Sequence, residues 1–197
     1  KGFDKVKEEL HFIAENMTDK SPGVSHIEIA DPNFAMYPQD SKTCEEFRKI
    51  QDKYAWPKFI GCSTGKNQPE RILNAVSKVY PDSLLISNSM QSTNEQTLEA
   101  IKRSNINLET YSQVQTEIHK RGLRSMADVI LGLPLETKES HFNAVLNLID
   151  SGVQEFTSYQ AMVLKSTDLE LDEVKEKYGL KTKWRMLPRS TGEYKIC

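Results

Sequence analysis

The sequence predicts an α/β protein, an incomplete parallel (β/α) TIM-like barrel of about five to six βα units. Three observations predict it. Segments with helical apolar spacing alternate with short apolar runs, the arrangement that gives parallel strands joined by right-handed crossovers. The length, 197 residues, suits one domain and falls short of the ~250 residues of a complete barrel. Three of the short runs also carry apolar side chains on one face and polar groups on the other, whereas an ordinary small barrel fills its lumen with Val, Ile and Leu.

The elements follow in order. Phe3, Val6, Leu10 and Ile13 recur at helical spacing and mark a first helix. Residues 26–30 read as a strand. Thr43 with Glu46 three residues on forms a capping-box pattern, opening a second helix with Phe47, Ile50 and Tyr54. Residues 58–62 form a second strand, and Asn67 caps a helix with Ile72, Leu73, Val76 and Val79 that Pro81 stops. Residues 83–88 are a third strand, followed by a second capping box, Thr93 with Gln96, ahead of Leu98 and Ile101. Tyr111, Val114 and Ile118 share a helix ended by Gly122. Residues 125–131 are the fourth strand, and residues 136–150 a helix with Phe142, Val145, Leu146 and Ile149, closed by Gly152. Residues 154–160 are the fifth strand. From Leu171 the chain is charged, helical at first and irregular near Pro188. The whole is expected to be one domain, with a barrel over 1–170 and a C-terminal extension over 171–197.

Side chains two apart in a strand share a face. Leu85, Ser87, Ser89 and Gln91 therefore lie opposite Leu84 and Ile86. Met126, Asp128 and Ile130 lie opposite Ala127, Val129 and Leu131, and His26 and Glu28 oppose Ile27 and Ile29. A polar lumen suggests a bound ligand. The alternative is an open sheet with one solvated face, which parallel sheets rarely leave bare.

Net charge is −2 with scattered Lys and Arg, so no basic stripe marks a nucleic-acid surface. No apolar run approaches the ~20 residues of a membrane span, and no signal peptide opens the chain. The three cysteines, Cys44, Cys62 and Cys197, fit no zinc or disulfide spacing. Their odd count fits a reducing, cytoplasmic setting. The four histidines show no ligand spacing, and His11, His119 and His141 fall on helices as ordinary residues. The chain opens inside a helical pattern without an initiator Met, and is expected to be a piece of a longer protein.

Five segments then line up in order: Asp31-Pro32-Asn33-Phe34 after the first strand, Ser63-Thr64-Gly65-Lys66-Asn67 after the second, Ser87-Asn88-Ser89-Met90-Gln91-Ser92, the helical Lys102-Arg103-Ser104-Asn105, and Asp128-Val129-Ile130-Leu131-Gly132-Leu133-Pro134-Leu135-Glu136-Thr137. In this combination the chain resembles the radical S-adenosylmethionine (SAM) superfamily over about residues 1–170, and within it the branch that often carries an upstream cobalamin-binding domain. The resemblance implies SAM as ligand, a [4Fe–4S] cluster held by a Cys-x3-Cys-x2-Cys loop, and reductive cleavage of SAM to a 5′-deoxyadenosyl radical. It also raises cobalamin as a further cofactor. That cysteine loop is not in this sequence; by the resemblance it would precede Lys1, so no metal ligand and no catalytic residue is assigned here.

The cofactor-binding residues the resemblance implies are Asp31, Asn33, Ser89, Gln91, Arg103, Asp128 and Gly132. Arg103 can clamp the SAM carboxylate in a bidentate, charge-assisted pair. Gln91 and Asp128 can bond ribose hydroxyls, with Ser89 beside them on the same strand face. Asp128 carries weight of its own, because a carboxylate in a central strand is costly unless paired; the alternative partner is a buried Lys or Arg. Asp31 and Asn33 occupy the position that recognises the SAM ammonium, although Asp-Pro-Asn-Phe stands where the family often has Gly-Gly-Glu-Pro. An Asp-Pro turn explains the same residues. Gly132-Leu133-Pro134 would bring backbone close to the adenosyl group. The run Ser63 to Asn67 lacks the Walker spacing and is discounted as a phosphate loop.

Two other functions remain open at this stage: a TIM-barrel-type enzyme of different chemistry, using Asp128 and Arg103 on an anionic small molecule, and a non-catalytic scaffold. A small-molecule substrate of unknown identity is the expected partner, with neither nucleic acid nor membrane. The edge of the strand at residues 26–30 is expected either to pair with a second copy or to be covered by residues 181–197, through Trp184, Met186 and Tyr194.

Overall fold

A computed structural model describes residues 2–20, 23–65, 67–87 and 89–183. Helices and strands alternate as α1 (Phe3–Lys20), β1 (His26–Phe34), α2 (Pro38–Tyr54), β2 (Phe59–Thr64), α3 (Pro69–Val76), β3 (Leu85–Ser87), α4 (Glu95–Ala100), α5 (Leu108–Lys120), β4 (Arg124–Leu131), α6 (Lys138–Asp150) and β5 (Glu155–Gln160). A short 3₁₀ turn (Asp168–Glu170) and α7 (Asp172–Tyr178) follow. The chain divides into two compact units, Lys1–Gln160 and Ala161–Cys197.

Every strand pairing is parallel. β1 pairs with β2, and β3, β4 and β5 form a second sheet in that order. The two are stitched by a bridge between Ile60 and Leu84 and by Ile60 N donating to Ser83 O at 2.6 Å. The five expected strands are present, and among the described residues they do not close into a barrel. Among the described residues β1 bonds to β2 alone. The tail residues expected to cover that edge, Trp184, Met186 and Tyr194, lie outside the described residues.

The two faces of the sheets divide as the alternation requires. Ile60, Leu84, Ile86, Ala127 and Val129 are buried against the helices. On the other face Glu28 and His26 are exposed. Glu28 lies directly over Gly61, its register partner, where a Cβ would stand 1.8 Å from the carboxylate and make that side chain move. In the first unit the larger core gathers Leu10 and Ala14 of α1, Phe47 and Ile50 of α2, and Leu73 and Val76 of α3, and a smaller one joins Met90, Tyr111, Val129 and Leu148.

Several helix boundaries differ from expectation. α2 begins at Pro38, not at Thr43: proline is preorganised for a first helical position, and Tyr37 N donates to Asp40 Oδ2 at 2.9 Å. Thr43 is mid-helix and bonds back to Gln39 O, while Glu46 is buried. α3 begins at Pro69 after the cap residue Gln68, rather than after Asn67. The cap of α4 is Asn94, whose side chain accepts from Thr97 N; Thr93 accepts from Asn147 instead. On α6 the buried residues are His141, Ala144 and Leu148, whereas Phe142, Leu146 and Ile149 are exposed. None of the described helices is long and apolar enough to cross a membrane.

Candidate functional site

The C-terminal ends of β1, β2 and β3, with the loops that follow them, surround a cleft of about 500 Å3, within the range of small-molecule sites. Pro32, Asn33 and Met36 come from the β1–α2 connection, Ser63, Thr64 and Asn67 from the end of β2, Ser87, Ser89 and Gln91 from β3 and its loop, and Lys102, Arg103 and Ser104 from the end of α4. Among the described residues the wall is thus rich in hydroxyls and amides, carries two cations, and includes no carboxylate.

Four of the seven sequence-predicted residues line this cleft: Asn33, Ser89, Gln91 and Arg103. Asp128 does not line it but reaches it through Ser89, whose Oγ donates to Asp128 Oδ2 at 2.6 Å. That hydroxyl, and no Lys or Arg among the described residues, is the partner of Asp128. Asp31 does not line the cleft either. Its Oδ1 accepts from Asn33 N at 2.8 Å and braces the bulge where the β1–β2 register shifts. Gly132 also stands apart: it adopts φ 85°, a region natural to glycine, and its N–H donates to Glu136 Oε2 at 3.0 Å. It shapes the loop after β4 rather than the cleft wall.

The polar atoms left over are informative. Seven side-chain atoms of the described residues are buried without a hydrogen-bond partner, and three of them, Gln91 Oε1, Asp128 Oδ1 and Arg103 Nε, belong to residues in or beside this cleft. A buried polar group left unpaired costs about 1–3 kcal/mol, so two acceptors and one cationic donor concentrated here point to a ligand. Burial lowers the pKa of Arg103, yet a guanidinium stays charged in proteins. One of its Nη atoms donates to Ser89 O at 3.3 Å.

Beneath the cleft, Glu136 joins two loops. Its side chain is 1% exposed; it accepts from Ser92 Oγ at 3.3 Å as well as from Gly132 N. His141 is placed between Glu136 Oε2, 3.5 Å from Nδ1, and Ser158 Oγ, 3.3 Å from Nε2. The histidine expected to be ordinary is thus part of a buried polar network.

The lining residues missed from sequence are Pro32, Met36, Ser63, Thr64, Asn67 and Ser87 at the strand ends, and Lys102 and Ser104 beyond α4. For those at the strand ends the signal was position, since side chains just past parallel strand ends form the functional rim. Gly65 allows this wall to approach Met36, whose Cβ lies 2.9 Å from where a glycine-to-alanine Cβ would stand.

The donor set for SAM fits. Arg103, with Lys102 beside it, suits a carboxylate, and Gln91 Oε1 and Asp128 Oδ1 suit the two hydroxyls of a ribose. The donor set for an iron–sulfur cluster does not fit. Burial, reinforced by neighbouring acidic groups, pushes the thiols of Cys44 and Cys62 up to about 12, whereas metals bind the thiolate. No group of three His, Cys, Asp or Glu among the described residues could hold a metal ion.

No protein-family model matches the chain. It is 28% identical over 183 residues to the cobalamin-dependent radical SAM methyltransferase TokK of Streptomyces tokunonensis, covering 91% of this chain and 26% of that protein. It is 30% identical over the same length to 2-(S-pantetheinyl)-carbapenam-3-carboxylate methyltransferase of Streptantibioticus cattleyicolor, again covering 91% and 26%. The chain therefore spans about a quarter of the length of the curated relatives it matches. Among solved structures it superposes on the radical SAM methyltransferase TsrM of Kitasatospora setae with cobalamin and a [4Fe–4S] cluster bound, at a TM-score of 0.60 and 14% identity, over 83% of this chain and 30% of that one. It superposes equally on Streptococcus suis SuiB bound to SAM, at a TM-score of 0.60 and 11% identity, over 90% and 40%. The chain is thus related to a cobalamin-dependent radical SAM methyltransferase and to a carbapenam-3-carboxylate methyltransferase, and its fold is that of solved radical SAM proteins.

Proposed function

We propose that this radical SAM relative forms the SAM-holding wall of an enzyme that reductively cleaves SAM, its five βα units being part of a TIM-like barrel. The observation that carries this reading is the trio of unpartnered buried atoms, Arg103 Nε, Gln91 Oε1 and Asp128 Oδ1, in and beside a cleft that otherwise carries hydroxyls and amides. Arg103, with Lys102, holds the carboxylate of SAM. Gln91 and Asp128 accept from the ribose hydroxyls, Ser89 orienting the Asp128 carboxylate. Asn33 faces the amino end, and Asp31 braces the backbone of Asn33. The cluster that such chemistry requires takes its thiolates from elsewhere in the protein, and the kinship with cobalamin-dependent methyltransferases makes cobalamin a further cofactor of the whole enzyme.

The reacting partner in this proposal is a small molecule. Cys44 and Cys62 are free thiols, which fits a reducing, cytosolic setting. The edge of β1 that no described strand pairs supports association of two copies, which light scattering on the eluting protein would detect as a doubled mass.

The test is calorimetric titration of SAM into the full-length protein without reductant. Arg103→Ala should weaken binding by about ten-fold or more, the worth of one charge-assisted hydrogen bond. Unchanged affinity would overturn the assignment, and binding of unrelated anions but not SAM by the unsubstituted protein would favour an enzyme of other chemistry.

A further inference from the structure

Asn105 does not line the cleft, yet its side chain reaches the loop that presents two of the cleft residues. Nδ2 donates to Met90 O at 2.6 Å and to Ser92 O at 3.0 Å. These carbonyls flank Gln91, which has φ 57°, the left-handed region that residues with a Cβ occupy only at a cost.

The opposite side of Gln91 is tied to β4. Gln91 N donates to Asp128 O and Ile130 N donates to Gln91 O, both at 2.8 Å. The loop is thus clamped between a strand and one amide. Ser92, fully buried, secures the far end: its hydroxyl accepts from Asn94 N at 3.2 Å and donates to Glu136. Two donors on one short side chain are what this geometry needs. Alanine supplies none and serine supplies one.

We propose that Asn105 is a positioning residue for ligand recognition, holding Gln91 in its left-handed conformation so that Gln91 Oε1 meets the ligand. The inference rests on the SAM reading of the cleft. A strained residue at a ligand site persists only when its surroundings over-determine it; Ser92 N donates to Met90 O at 2.7 Å across Gln91, and Asn105 adds the side-chain bonds that hold both of the flanking carbonyls.

Calorimetric titration of SAM into the full-length protein, without reductant, tests this in a double-mutant cycle. Asn105→Ala should weaken SAM binding about ten-fold when Gln91 is present. In a Gln91→Ala background the same substitution should change affinity by less than about two-fold, because the side chain it positions is gone. A denaturation midpoint measured alongside should fall by the same amount in both backgrounds. Asn105→Ser, keeping one donor, should give an intermediate loss and serves if the alanine variant does not fold. Equal losses of affinity in both backgrounds, or none in either, would overturn the positioning role. Absence of SAM binding by the unsubstituted protein would overturn the cleft assignment beneath it.

Discussion

Glu46 on α2 and Asp128 on β4 both place carboxylate oxygens out of solvent, but their surroundings differ. Glu46 is 3% exposed and fully engaged: Oε1 lies 2.7 Å from His11 Nε2 and 4.0 Å from Lys7 Nζ, and Oε2 accepts from Lys49 Nζ at 2.9 Å. Asp128 has one bond, from Ser89, and one buried oxygen without a partner. The first carboxylate pins α1 to α2. The second is incomplete in the protein alone, and it stands beside a cleft with a cationic wall. Both are carboxylates with oxygens out of solvent, Glu46 buried as a whole and Asp128 half-buried; the difference between a structural and a functional carboxylate lies in whether the fold itself satisfies it.

The largest expected effect separates binding from stability. Asp128→Asn keeps an acceptor for Ser89 but removes the charge, and should weaken SAM binding by about 1.5–3 kcal/mol, the range for hydrogen bonds to charged groups. Its denaturation midpoint without ligand should scarcely move, since no ion pair among the described residues is lost. A collapse of stability with affinity intact would make Asp128 a structural residue like Glu46.

Glu46→Ala should do the reverse, costing about 1–3 kcal/mol of folding stability. The lower end is expected because Lys7 and Lys49 are largely exposed and can return to water. SAM affinity of the folded fraction should stay the same. Chemical denaturation and titration on one sample would check both halves.

A pH series sharpens the contrast. Burial pushes the Glu46 pKa up, but the bonds from His11 and Lys49 outweigh it, and the net shift is below the ordinary 4.5. A carboxylate depressed in the folded state contributes stability above its unfolded pKa and loses it as pH falls through the folded value. Stability should therefore decline as pH drops below about 4.5, and Glu46→Gln should flatten that part of the curve. An unchanged slope would mean that Glu46 is not the group titrating.

The smallest effect belongs to Asp31. It braces Asn33 through one exposed bond, so Asp31→Ala should weaken SAM binding by only about two- to three-fold, less than a full hydrogen bond to ligand is worth. A ten-fold loss would place its carboxylate on the SAM ammonium directly.

The βα alternation and the facing of each strand were legible because period two is local: Ala127 and Val129 against Asp128 needs only the residues themselves. So were Asn33, Ser89 and Gln91, which sit where parallel strands end, whereas Arg103, beyond α4, was legible only through the family resemblance. Helix starts were less legible. Thr43 with Glu46 imitates a capping box, yet Pro38 and Asp40 open α2 earlier, and Glu46 is used by His11, 35 positions away in sequence. No local pattern encodes such a pairing.

The sequence by itself determined the fold class, the polar face and the strand ends at which a ligand would sit, because backbone periodicity and strand polarity are properties of neighbouring residues. Only the tertiary structure decided which polar groups are spent and which are left over. It gave Asp31 to its own turn, Glu46 to α1 and Asn105 to the carbonyls around Gln91, and left Gln91, Arg103 and Asp128 with unmet bonds. Satisfaction of a buried polar group depends on partners brought close by packing, across chain separations that no spacing rule reaches.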